Sequence, residues 1–99
     1  MNYYTHMLIG EAITDDNVNE LVNKMQDHAR DLPSLIRHSI LAEEGGRMVV
    51  HVTDWPCRQD CLQYHASREY RQFIAASQYM LVGSYVVKFF QNKTERRTL

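Results

Sequence analysis

The spacing of apolar and polar positions changes along this chain, and each change marks an element. Residues 3–13, YYTHMLIGEAI, are nearly continuous in apolar and β-favouring side chains, the pattern of a strand covered on both faces. TDD follows, where Thr14 or Asp15 can accept from the free amides of a helix start and the acids suit its positive end. Val18, Leu21, Val22, Met25, Ala29 and Leu32 then recur at helical spacing, and Pro33 stops the helix. In residues 34–44 the period becomes two: Ile36, His38 and Ile40 point one way, and Leu35, Arg37, Ser39 and Leu41 the other. Gly45-Gly46 signals a two-residue hairpin, and RMVVHVTDW is the returning strand. Pro56 suits the first turn of a second helix, where its missing N–H costs nothing. That helix is expected to reach about Met80, with a break near Ala66-Ser67, before a last apolar strand over residues 82–91.

The order β-α-β-β-α-β is the split βαβ arrangement of the ferredoxin-like α+β fold. It makes one four-stranded antiparallel sheet with the helices on one face and leaves the other face bare. Either choice of parity fills that bare face with Val, Ile, Met, Phe and Tyr, more apolar surface than a monomer ordinarily exposes. A second copy pressing sheet to sheet is the economical cover, so the expectation is a two-fold homodimer.

Ninety-nine residues make one domain, expected to span 1–99 with a core over about 3–91 and a polar tail at 92–99. A formal net charge of -1 gives no field to attract nucleic acid or an anionic membrane, and the mixed cluster KTERR reads as a solvated tail. No apolar run approaches the roughly 20 residues of a membrane span. The N-terminal stretch lacks a basic region and turns acidic early, unlike a signal peptide. The expected location is therefore cytoplasmic, with Cys57 and Cys61 as thiols.

The chemistry concentrates in DWPCRQDCLQYHASREY, residues 54–70, which holds the single tryptophan and both cysteines. The topology and this stretch resemble the antibiotic biosynthesis monooxygenase family of dimeric α+β barrels, over about residues 4–91. The matching positions are Trp55, His65, Ser67 and Tyr70. The resemblance implies a small cytoplasmic enzyme that oxygenates electron-rich aromatics such as anthrones or quinols with no flavin or metal. The deprotonated substrate itself gives an electron to dioxygen, in a pocket between sheet and helices. Anthrone-oxidising members carry Asn four residues before the Trp, where this chain has His51. A haem-degrading branch uses a Trp that ruffles the macrocycle, a His that ligates iron and an Asn on the first strand. Trp55 and His65 match the first two, and the Asn position falls near His6.

His65 is then the leading catalytic candidate, because an imidazole with an ordinary pKa near 6.5 suits proton abstraction from a phenol or quinol. The plainer reading is a helix histidine bonded to a carbonyl. Trp55 offers a flat apolar wall with one N–H donor, or simply closes the end of the core. His51 shares a face with Val49 and Trp55 by period two, which makes it a second catalytic candidate, and His6 is a further strand histidine. Each also reads as a satisfied interior histidine. Tyr64, with Tyr70 and Tyr85, can donate to a substrate oxygen. His38 looks less interesting, and His28 reads as a cation favoured by a helix end. Arg37, Arg58, Arg68 and Arg71 could each cap a substrate carboxylate. Cys57, Cys61 and His65 lie on one helical face but span about 12 Å, too far for one ion, so no metal is expected. The reading is a cofactor-independent monooxygenase of a small aromatic, with His65 and His51 catalytic and Trp55, His6 and Tyr64 lining the pocket. Haem binding or degradation, and a non-catalytic dimeric module for a small ligand, are the alternatives.

Overall fold

The alternation in the strand segments is realised as one antiparallel sheet. The structure, a computed structural model, describes residues 3–93, so residues 94–99 of the expected polar tail lie outside the described residues. The elements are β1 (Tyr4–Glu11), α1 (Asp15–Ala29), β2 (Arg37–Ala42), β3 (Met48–Trp55), α2 (Arg58–His65), α3 (Arg68–Ser77), a 3-10 turn (Gln78–Met80) and β4 (Val86–Gln91). The sheet order is β2-β3-β1-β4, the ferredoxin-like α+β order, with every pairing antiparallel. No helix among the described residues is long and apolar enough to cross a membrane.

Thr14 caps α1, its hydroxyl accepting from the Asn17 amide at 3.0 Å. The stripe Leu21, Met25 and Ala29 is buried against the sheet. The helix ends at Ala29, before Leu32, and Ser34 then turns the chain with φ 67°, a left-handed value uncommon for a residue with a Cβ. The hairpin is a four-residue connection rather than two: Glu43 N–H donates to Met48 O at 2.8 Å, and Gly45 supplies φ 74°. Both loop lengths set one register, in which Ile40 pairs with His51. Pro56 sits just outside α2 rather than in its first turn, because Cys57 is the extended N-cap.

The break expected near Ala66-Ser67 divides the second helical region into two helices. Ser67 Oγ accepts from the Tyr70 amide at 3.1 Å and donates to Tyr64 O at 2.6 Å, which ends α2 and starts α3 within one residue. The last strand starts at Val86 rather than residue 82, because Gly83 takes φ 72° and turns the chain first. Leu81 and Tyr85 press on β1 at Gly10, where a Cβ would lie 2.9 Å from atoms of each. Only glycine permits that approach.

Helices cover one face of β1, not both. His6, Leu8 and Gly10 are buried beneath them, while Thr5, Met7 and Ile9 are half-buried on the open face. The core lies in the covered layer and joins Leu8, Leu21, Met25, Val49, Trp55, Cys61, Tyr64, Tyr70 and Phe73. The open face carries Leu41, Met48, Val86 and Phe90 as exposed apolar side chains.

Candidate active site

Strand parity decides what meets in the covered layer. On β3 it buries Val49, His51, Thr53 and Trp55, and on β1 His6 and Leu8. His38 of β2 lies on the same side, one diagonal step from His51. His28 comes from the last turn of α1, and His65 is the final residue of α2. All five histidines of the chain thereby come to the covered side of the sheet, four of them buried or half-buried and His38 exposed on the edge strand.

They are bonded in pairs. His6 Nε2 and His65 Nδ1 are 3.1 Å apart, and His38 Nδ1 and His51 Nε2 are also 3.1 Å apart. His28 Nε2 shares a hydrogen bond of 2.8 Å with the Tyr64 hydroxyl. Each pair needs one N–H donor and one lone pair, hence at least one neutral ring. Burial enforces that neutrality. Desolvation, with His65 and His28 nearby, lowers the His6 pKa to about 4. Desolvation, with His38 the nearest other contributor, lowers His51 to about 3. Burial lowers His28 too, against an opposing pull from Glu69. This overturns the expectation of His28 as a cation favoured by the helix end, because its ring is stacked on Phe73 at a centroid separation of 4.6 Å. Burial also raises the Tyr64 hydroxyl and pushes Tyr70 up to about 12 and Cys61 up to about 11. Burial therefore holds His6, His28 and His51 neutral beside protonated phenols.

Tyr64 is the hub. Its ring stacks on Trp55 at 4.6 Å and 24°, and meets His6 edge-on at 5.2 Å. Trp55 gives its N–H to Thr53 Oγ1 at 3.0 Å. On the outer side of this stack lies a cavity of about 230 Å³. Trp55 and Tyr64 line it, with Leu32, Pro33 and Ser34 from the turn after α1, Asp60 and Gln63 from α2, and Ser67 and Glu69 at the start of α3. It falls below the range of about 300–1,000 Å³ for drug-sized ligands, so its occupant is small. None of the four arginines considered as carboxylate caps lines it. Arg37 instead pairs with Asp54 on the open sheet face at 2.7 Å.

Of the five residues expected at the site, the structure brings Trp55 and Tyr64 to this cavity. His6, His51 and His65 do not line it, and the Tyr64 ring stands between Trp55 and His6. His65 is half-buried, packed against Tyr70 and Phe89. His28 and His38, set aside in the sequence reading, belong to the same layer. Parity with Ile40 already placed His38 there, and His28 continues the stripe of Leu21 and Met25 at spacings of three and four. Cys57 does not share a face with Cys61: its backbone is extended and its side chain exposed, while Cys61 is buried. Among the described residues no three His, Cys, Asp or Glu side chains are grouped to hold a metal ion.

No protein-family model and no curated protein matches the chain. Solved structures do. A monooxygenase from the ActVA-Orf6 gene of Streptomyces coelicolor, solved with nanaomycin D, is 16% identical with a TM-score of 0.80, covering 97% of this chain and 92% of its own. A protein of Deinococcus radiodurans described as a candidate antibiotic biosynthesis monooxygenase is 10% identical with a TM-score of 0.77, covering 98% of both chains. A dimeric ferredoxin-like protein of unknown function from Thermobifida fusca is 18% identical with a TM-score of 0.71, covering 90% of both. The class is thus a ferredoxin-like α+β protein. Within that class, the fold is that of the antibiotic biosynthesis monooxygenases.

Proposed function

We propose that the protein is a cofactor-independent monooxygenase of a small aromatic, anthrone- or quinol-like molecule. The observation that carries the reading is the aromatic-walled cavity beside a layer of hydrogen-bonded imidazole pairs. The substrate ring lies against Trp55 and Tyr64. His65 takes its proton, and the bond to His6 fixes the His65 ring. With His65 Nδ1 donating to His6 Nε2, His65 Nε2 is left as the base. Buried His6 resists protonation, so it orients the His65 ring without taking the proton itself. His51 assists, held by His38. The deprotonated substrate then reduces dioxygen. For an anthrone, a CH2 becomes C=O, one oxygen atom entering the product and the other leaving as water. Oxygen uptake on an anthrone and quinol panel should fall about 10²–10⁴-fold in His65→Ala, the range for losing a general base. Unaltered turnover would remove His65 from the mechanism.

The cavity that Trp55 lines is about 230 Å³, below the range of about 300–1,000 Å³ for drug-sized ligands, and Tyr64 and Thr53 already take one indole face and the N–H, which argues against a macrocycle at Trp55. The small-ligand module remains the outcome if every substrate binds without turnover.

The open sheet face supports a homodimer as part of the same proposal. The prediction is sedimentation at twice the mass of the chain. Phe90→Glu, at a position 46% exposed in the single chain, should give a folded monomer. A variant that still sediments as a dimer would place the interface elsewhere.

A further inference from the structure

The cavity already touches a proton-accepting pair with no movement of any ring. Tyr64 lines it, and the Tyr64 hydroxyl is 2.8 Å from His28 Nε2. On its other side His28 lines an open groove of about 470 Å³ between α1 and α3. The cavity and the groove share Leu32 and Glu69 as walls. Tyr64 and His28 thus bridge two solvent-reaching spaces through one hydrogen bond.

We propose that Tyr64 and His28 form a proton relay from the cavity to the groove, with Tyr64 the catalytic residue that meets a phenolic substrate and His28 the residue that acts through it. This rests on the reading that the cavity receives an aromatic hydroxyl. With His28 in the tautomer bearing its proton on Nδ1, Tyr64 donates to Nε2, and the Tyr64 oxygen keeps a lone pair for a substrate O–H. The substrate O–H bond breaks as a new O–H bond forms at Tyr64. The former Tyr64 O–H bond breaks as an N–H bond forms at His28 Nε2. The result is a substrate phenolate and a His28 imidazolium, with no electron moved and Tyr64 unchanged.

The surroundings suit each end. Tyr64 holds its proton firmly because it is buried, so it passes a proton on rather than resting as a tyrosinate. His28 is neutral at rest because burial outweighs the pull of Glu69, and Asp27 beside it is already paired with Arg30 at 3.0 Å, so the proton passes through His28 to the open groove rather than resting there. From the sheet side the neutral rings of His51, at 6.5 Å, and of His6 face it. The cavity side carries Asp60 and Glu69 and no basic residue. The substrate class is therefore a neutral phenol without a carboxylate.

The test uses para-nitrophenol, whose phenolate absorbs visibly, and needs no turnover. In the wild type the bound probe should ionise about one pH unit below the free probe, a tenfold shift in its ionised ratio. Tyr64→Phe keeps the ring and loses the relay. His28→Gln keeps a hydrogen-bond partner for Tyr64 and cannot take a proton. Both should bind the probe and lose the shift. Retention of the shift in His28→Gln, its loss in His65→Ala alone, or failure of the wild type to bind or ionise the probe would overturn the relay. A probe ionised as described, with no oxygen uptake on any substrate, would instead leave the relay standing and remove the monooxygenase reading.

Discussion

At pH 5 the folded protein should be about 4 kcal/mol less stable than at pH 7, from His6 and His51 alone. Their folded pKa values are lowered to about 4 and about 3. An unfolded histidine titrates near 6.5. Between those values the unfolded chain binds more protons than the folded one, so stability rises with pH. It is fully present above about pH 6.5 and is lost as pH falls, by about 1.4 kcal/mol per histidine per pH unit, until the folded rings themselves protonate. Two groups over about 1.5 units give the figure, and His28 adds in the same direction. Against a typical stability of about 5–15 kcal/mol this is a large fraction. Urea unfolding at pH 7, 6 and 5 measures it, and His6→Asn, which cannot titrate, should flatten the slope. A stability independent of pH across that range would mean that the histidine layer is wet rather than buried.

The second large effect is expected at Trp55. Trp55→Ala should cost about 3–5 kcal/mol, the range for deleting a buried aromatic. The residue is 1% exposed and stacked on Tyr64. Its N–H is also the donor to Thr53 Oγ1, and Thr53 in turn donates to His6 O at 3.3 Å. Removing the indole therefore empties volume and loosens the hydroxyl that braces the His6 strand. In a domain of this size the change corresponds to a fall in Tm of at least about 12 °C. Trp55→Phe should recover most of the packing and none of the hydrogen bond. A fall of only a few degrees for Trp55→Ala would show that the indole serves the cavity and not the core.

The sheet was legible because its rules are local. Period two in MVVHVTDW buries one set and exposes the other, and the glycine pair sets the register whether its loop holds two residues or four. The first helix was legible from Thr14 and the stripe Leu21, Met25 and Ala29. The boundaries of the second helical region were less so. The break near Ala66-Ser67 was expected, but the Pro56 position and the end of the helix at Ser77 rather than Met80 depend on the Cys57 cap and a closing 3-10 turn. The histidine layer was only half legible. Period two predicted the inward turn of His51 and placed His38 with Ile40, but His6 and His65 are 59 residues apart and meet only through the tertiary fold. At His28 the helix-end rule competed with burial, and burial prevailed because Phe73 covers the ring. The cavity itself was invisible in the sequence, since the turn at 32–34 and the junction of α2 and α3 meet there from distant parts of the chain.

That junction also sets an azimuth. On one unbroken helix, residues six apart point about 120° away from each other around the axis. Tyr64 and Tyr70 are six apart, yet their rings meet at 5.1 Å and both touch His6. The interruption at Ser67 removes the angular offset by restarting the rotation. A continuous helix through residue 67 would turn one of the two phenols out of the layer, so a single serine hydroxyl determines how many aromatic rings the sheet receives.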